Sequence, residues 1–322
     1  MNSTRSLLAV IALSGLATCF AQAQHDHFPN QRWKEVKTDH ITIRTQGASS
    51  SIAKKYAEKV WDICNRCLPG LKEEYENNTF KTPNGSAASD DKPYRFTIYL
   101  VGREYPFKEM VETVSKTMGD RAAGYKQLCE QTKMISDAKH RYVVFCLDGR
   151  QGDIDSLLVH STASAILAGH GRMNSKNDFF HTAGFGYYVE HLIFKKCRVH
   201  YLDFSQYYQN VEVVRGAVLD GKSPWTRPVQ KLVKKGKATP RLSELFGLEV
   251  ATLNPERSGL LFALSHFMCH TDENVKKHHA YLTKLRSGSS PSVKLILECY
   301  GYADEAAFNN AFKAYIESRE FR

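Results

Sequence analysis

Residues 157–167, LLVHSTASAIL, are the stretch on which the fold turns. Their apolar positions recur at helical spacing, which predicts a helix capped by Asp153 and running to about Ala168, with Gly169 and Gly171 as stops. Such a helix turns an apolar face to a core and carries one histidine at mid-span, His160.

Upstream the pattern differs. HITIRT (40–45) alternates like a strand, and residues 52–68 place Ala53, Ala57, Val60, Trp61, Cys64 and Leu68 on one helical face closed by Pro69-Gly70. A polar loop, KTPNGSAASDDKP (81–93), leads to a strand at 94–101. A helix around 107–118 and a strand at 141–147 follow. This half is a small mixed α/β layer.

Downstream the periodicity is almost entirely helical. Helices are expected at about 178–196, 204–219, 242–247 and 256–270. A last one begins at Asp304 and aligns Ala307, Phe308, Ala311, Phe312 and Tyr315. Sheet first and helices after makes the fold class α+β. A boundary near residue 150 divides the chain into 24–150 and 151–322, two parts expected to pack as one unit around a shared cleft.

The first residues read as an export signal: Arg5, an apolar run from Leu7 to Phe20, then Ala21-Gln22-Ala23, with cleavage expected after Ala23. The run is too short for a transmembrane span, and nothing later reaches the roughly 20 apolar residues a spanning helix needs. A secreted or periplasmic protein is therefore expected. A lipid anchor at Cys19 is the competing reading, disfavoured because Thr18 stands where Gly, Ala or Ser belongs. Without Cys19 seven cysteines remain, an odd number whose pairing the sequence leaves open. Cys64-x-x-Cys67 lies near the end of a helix, away from the N-terminal position that stabilises a thiolate, so core packing or an ordinary bridge is expected.

Net charge is +10, and 227–241 concentrates Arg227, Lys231, Lys234, Lys235, Lys237 and Arg241 without one acid. A basic run of this kind is a solvated face or a dock for an anionic polymer. The lack of interleaved aromatics argues against nucleic acid.

A two-helix zinc hydrolase needs two histidines four apart on one helix, a glutamate beside the first to activate water, and a third ligand from a following helix. In element order and spacing the chain resembles the gluzincin-type metallopeptidases, specifically the secreted bacterial peptidase-MA-like proteins. The likeness is carried by the His160 helix, by FFHTAGFGYYVEHL (179–192) with Gly184, Gly186-Tyr187 and Glu190 at the Glu-Gly-x-Ala-x-Tyr-x-Glu positions, by SGLLFALSHFM (258–268), and by YGYADEAAFNNAFKAYIES (300–318). What the resemblance implies for the site fails at three positions of four. His160 matches the first zinc histidine, but the general base falls on Ser161, the second histidine on Ser164 and the glutamate ligand on Ala183.

Magnitudes settle the expectation. A full ligand set binds structural zinc with about 10–16 kcal/mol, and a missing general base costs about 10² to 10⁴ in rate. Losing two ligands and the base leaves no catalytic residue and no zinc or other cofactor to expect. Relocated ligands, His160 with His170, His181 or His191, are the alternative, although His181 and His191 stand about 80° apart around their helix. Cys146 with His160 lacks an identifiable orienting acid. The sequence thus describes a pseudopeptidase, a binding or scaffolding module for an extracellular or periplasmic protein, peptide or anionic polymer. The rival is an active metal-dependent hydrolase with unusual ligands.

Overall fold

Three apolar strands form the centre of the N-terminal half in the computed structural model, which describes residues 27–28, 31–76, 95–148, 154–173, 178–198, 224–249 and 252–322. β2 (Ile41–Gln46), β3 (Phe96–Val101) and β5 (Tyr142–Cys146) pair in parallel, with Ile41 opposite Phe96 and Thr97 opposite Tyr142. Every residue of β5 is buried, as both-face coverage of a parallel strand demands. Short antiparallel strands close the two edges: β1 (Lys34–Lys37) on β2 and β4 (Met134–Asp137) on β5, giving the order β1-β2-β3-β5-β4. β1 reads KEVK and exposes three of its four residues, the charged edge that discourages further pairing.

α1 (Ser51–Cys67) buries Ala53, Tyr56, Ala57, Val60, Trp61, Cys64 and Cys67 and packs on β2. The expected helical face is therefore present, widened by Tyr56. α2 (Leu71–Glu76) completes the passage towards β3, and α3 (Glu104–Ser115) with α4 (Ala122–Thr132) fills the passage from β3 to β4. Arg141, between the last two strands, is almost wholly buried. Its guanidinium donates to Glu74 at 2.6 Å and lies 4.0 Å over the Tyr75 ring.

Contacts group the chain into two units, one within Ser14–Gly169 and the other within His170–Arg322. α5 (Ile154–His170) belongs, but for its last residue, to the first. It is buried around its whole circumference from Leu158 to Ala163, whereas the sequence suggested one apolar face. Gly169 does not stop it: the helix continues to His170. A Cβ on Gly169 would lie 2.8 Å from the Ala138 carbonyl oxygen, so the glycine serves close approach.

The second unit is helical: α6 (Phe179–Phe194), α7 (Thr226–Lys234), α8 (Leu242–Phe246), α9 (Pro255–Cys269), α10 (Asp272–Arg286), α11 (Val293–Tyr300) and α12 (Glu305–Glu317). Together with the first unit this makes an α+β fold with twelve α-helices among the described residues. α6 and α9 are its central pair. A Cβ on Gly184 of α6 would stand 2.6 Å from both the Leu261 carbonyl oxygen and the Ser265 Oγ, so only glycine allows the two backbones so near. The caps are those their residue types favour. Asn254, Thr271, Ser292 and Asp304 each accept a backbone amide at the start of α9 to α12. The signal region, Cys19, the loop at 81–93, Asp153 and the helix expected at 204–219 lie outside the described residues.

Candidate functional site

On α5, His160 is fully buried and Ser161 nearly so. The Ser161 Oγ is enclosed without a hydrogen-bond partner. One turn on, the Ser164 hydroxyl donates at 2.9 Å to the His160 carbonyl oxygen, so the group at the second-histidine position is turned back on its own helix. A buried serine hydroxyl has neither the basicity of a carboxylate nor a proton acceptor to raise it.

On α6, Ala183 is fully buried and offers no donor atom. Glu190, at the later acidic position of the same stretch, is 1% exposed and accepts the Arg198 amide at 2.7 Å. It fixes the turn after the helix.

The three histidines considered as replacement ligands sit in different surroundings within the helical unit. The Arg286 guanidinium stands 3.3 Å from the Nε2 of His170, a cation where a metal would need the lone pair. His181 meets His278 of α10, Nε2 to Nε2, at 2.7 Å. The His191 ring lies 4.9 Å from that of Phe262 and 6.2 Å from that of His266. No group of three His, Cys, Asp or Glu side chains able to hold a metal exists among the described residues.

Burial sets the protonation of these rings. His181 is held well below the usual imidazole range by desolvation and then by His278. Burial, followed by the Lys195 charge, lowers His191 to about 4. His266 falls to about 3 through burial, His191 and His270 in that order, while the Tyr315 hydroxyl sits 2.6 Å from its Nδ1.

Sequence reasoning missed His278, Cys269 and His266. The Cys269 Sγ lies 3.6 Å from the Nδ1 of His278, so thiol, imidazole and imidazole form a line through the core. Because His278 faces Cys269 through Nδ1 and His181 through Nε2, the three cannot chelate one ion. The signal was available: His278, Tyr281, Leu282 and Leu285 recur at one-face spacing and are buried, but a histidine in a lysine-rich stretch reads as polar.

The cysteines weighed above, Cys64, Cys67 and Cys146, are all buried. Cys64 and Cys67 are fully buried thiols, and desolvation, with Cys67 adding to it, pushes Cys64 well up. Burial likewise raises Cys146, away from the thiolate that a nucleophile requires.

The basic segment is a surface. Arg227, Lys231, Lys234, Lys235, Lys237 and Arg241 are all exposed. Arg241 pairs with Glu244 at 3.0 Å, and the other five make no ion pair among the described residues. No described helix is long and apolar enough to cross a membrane.

Neither a family model, nor a curated protein, nor a solved structure matches the chain.

Proposed function

We propose that the protein is an exported, non-catalytic module on a peptidase-like architecture, binding or scaffolding a protein, a peptide or an anionic polymer. The observation that carries this is the state of the α5 and α6 positions where hydrolysis would need its groups. Ser161 presents an enclosed hydroxyl, Ser164 spends its own on the helix backbone, and Ala183 has nothing to donate. A peptidase cleft holds extended chain by interactions distinct from those that stabilise the reacting centre, so binding can outlast the loss of chemistry. His170, His181 and His191 each face a different neighbour, which removes the simplest route to a relocated metal.

Metal analysis of the purified protein, paired with digestion of an unfolded protein substrate with and without a chelator, tests it. The expected result is far less than one equivalent of zinc and no chelator-sensitive cleavage. One tightly held equivalent that disappears in His160→Ala, together with chelator-sensitive cleavage, would establish the hydrolase instead.

A further inference from the structure

α7 presents two opposite faces. Thr226, Val229, Leu232 and Val233 are buried, and the helix packs on α9 and α12. Arg227, Lys231, Lys234 and Lys235 occupy an exposed arc of about 100° along roughly 12 Å of helix. Past the helix the Lys237 amide donates to the Leu232 carbonyl at 2.9 Å, and this turn holds a fifth cation beside the other four. The Gln230 amide, bonded to the Ser318 carbonyl at 2.8 Å, ties the helix to the segment after α12. The helix that carries the array is thus anchored on both sides of it.

Helix stability explains only part of it. Cations in a last turn offset the partial negative charge of the carbonyl end, worth about 0.3–1 kcal/mol each, which accounts for Lys231 and Lys234. Arg227 stands in the first turn, where the same field disfavours a cation and no acid relieves it.

We infer that this face docks an anionic polysaccharide, its sulfate or carboxylate groups pairing with Arg227, Lys231, Lys234, Lys235 and Lys237. A lipid surface fits less well, because membrane-docking helices bring apolar anchors. The single exposed large hydrophobic side chain among the described residues is Tyr105, in the other unit. Single nucleic-acid strands are bound with aromatic stacking platforms, which this face lacks, and duplex DNA is set against the polysaccharide in the test below. The inference narrows the anionic-polymer partner of the proposed function, and its failure is distinguishable from failure of that reading because zinc content and proteolysis do not depend on it.

The test is binding of fluorescein-labelled heparin by polarisation. Affinity should fall by about two orders of magnitude between 50 and 200 mM salt, as expected when several cations each release about one counterion. The triple variant Lys231→Glu/Lys234→Glu/Lys235→Glu should weaken binding at least about tenfold at low salt. A control of equal charge change on α1, Lys54→Glu/Lys55→Glu/Lys59→Glu, should stay within about twofold, with circular dichroism verifying that both variants are folded. Equal losses in the two variants would reduce the effect to bulk charge and overturn the inference. Absent or salt-independent heparin binding would do the same, as would tighter binding to phosphatidylserine-containing vesicles or duplex DNA.

Discussion

The two units differ in the titratable groups they chiefly bury, although His160 in the sheet unit and Glu190 in the helical one are buried too. In the sheet unit, buried charge is paired: Arg141 reaches Glu74 and covers Tyr75, and Asp137 accepts from His140 at 2.7 Å. Burial alone would raise Asp137, but hydrogen bonds from His140 and its charge outweigh that and hold it below its ordinary value. The helical unit buries His170, His181, His191, His266 and His278 and displays its lysines. For His181, His191 and His266 the ring is kept neutral by desolvation. Both solutions avoid an isolated buried charge. A buried ion pair fails when one partner is removed, whereas a buried neutral imidazole fails when a proton is added.

The largest effect should come from breaking the pair. Arg141→Met leaves Glu74 without its guanidinium and should cost about 3–5 kcal/mol in urea unfolding. The double variant Arg141→Met/Glu74→Leu should recover much of it. A single variant as stable as the native protein would end the contrast on this side.

Acid addresses the other side. The folded pKa of His191 is depressed from 6.5 to about 4, so the unfolded chain takes up its proton first. The stabilisation is complete above pH 6.5 and is lost as pH falls towards 4. Over that window His191 alone accounts for about 3 kcal/mol, and His266, at about 3, adds in the same direction. Unfolding midpoints measured from pH 7 to 4 should fall steadily, with a smaller slope in His191→Phe. A flat profile would mean that these rings are not held neutral.

The smallest effect belongs to α5. Ser161→Ala removes an enclosed hydroxyl that has no partner and should change stability by no more than about 0.5 kcal/mol, with a slight gain as the expected sign. A loss above about 1 kcal/mol in thermal or urea unfolding would show that the hydroxyl is engaged.

Much of this was legible in the sequence, and the omissions have physical causes. Alternation revealed β2 and short apolar runs revealed β3 and β5, while 3.6-residue spacing revealed α1 and α12 and long apolar stretches revealed α6 and α9. The expected start of α12 at Asp304 lies within one residue of the observed one, where Asp304 is the cap and its carboxylate accepts the Ala307 amide at 2.8 Å. β1 escaped because an edge strand defended by charge has almost no apolar pattern, and β4 because four residues carry too little of one. α10 escaped because its buried face begins with a histidine. At the candidate site, residue identities at 160, 161, 164 and 183 could be read directly. That His181 meets His278, while His191 turns towards Phe262, depends on which helices pack together, and local spacing holds no record of that.

The parallel pairing of β2, β3 and β5 has a kinetic corollary. The pairings join residues 55 positions apart (Ile41 with Phe96) and 45 apart (Thr97 with Tyr142), so a long loop must lose its freedom before any ladder contact rewards it. Hydrogen bonds within a helix join residues four apart and need no such closure, although in the other unit Gly184 of α6 meets Leu261 of α9 across 77 positions. Within the sheet unit, pairing of the parallel strands is therefore expected to follow formation of its helices and to set the pace of folding.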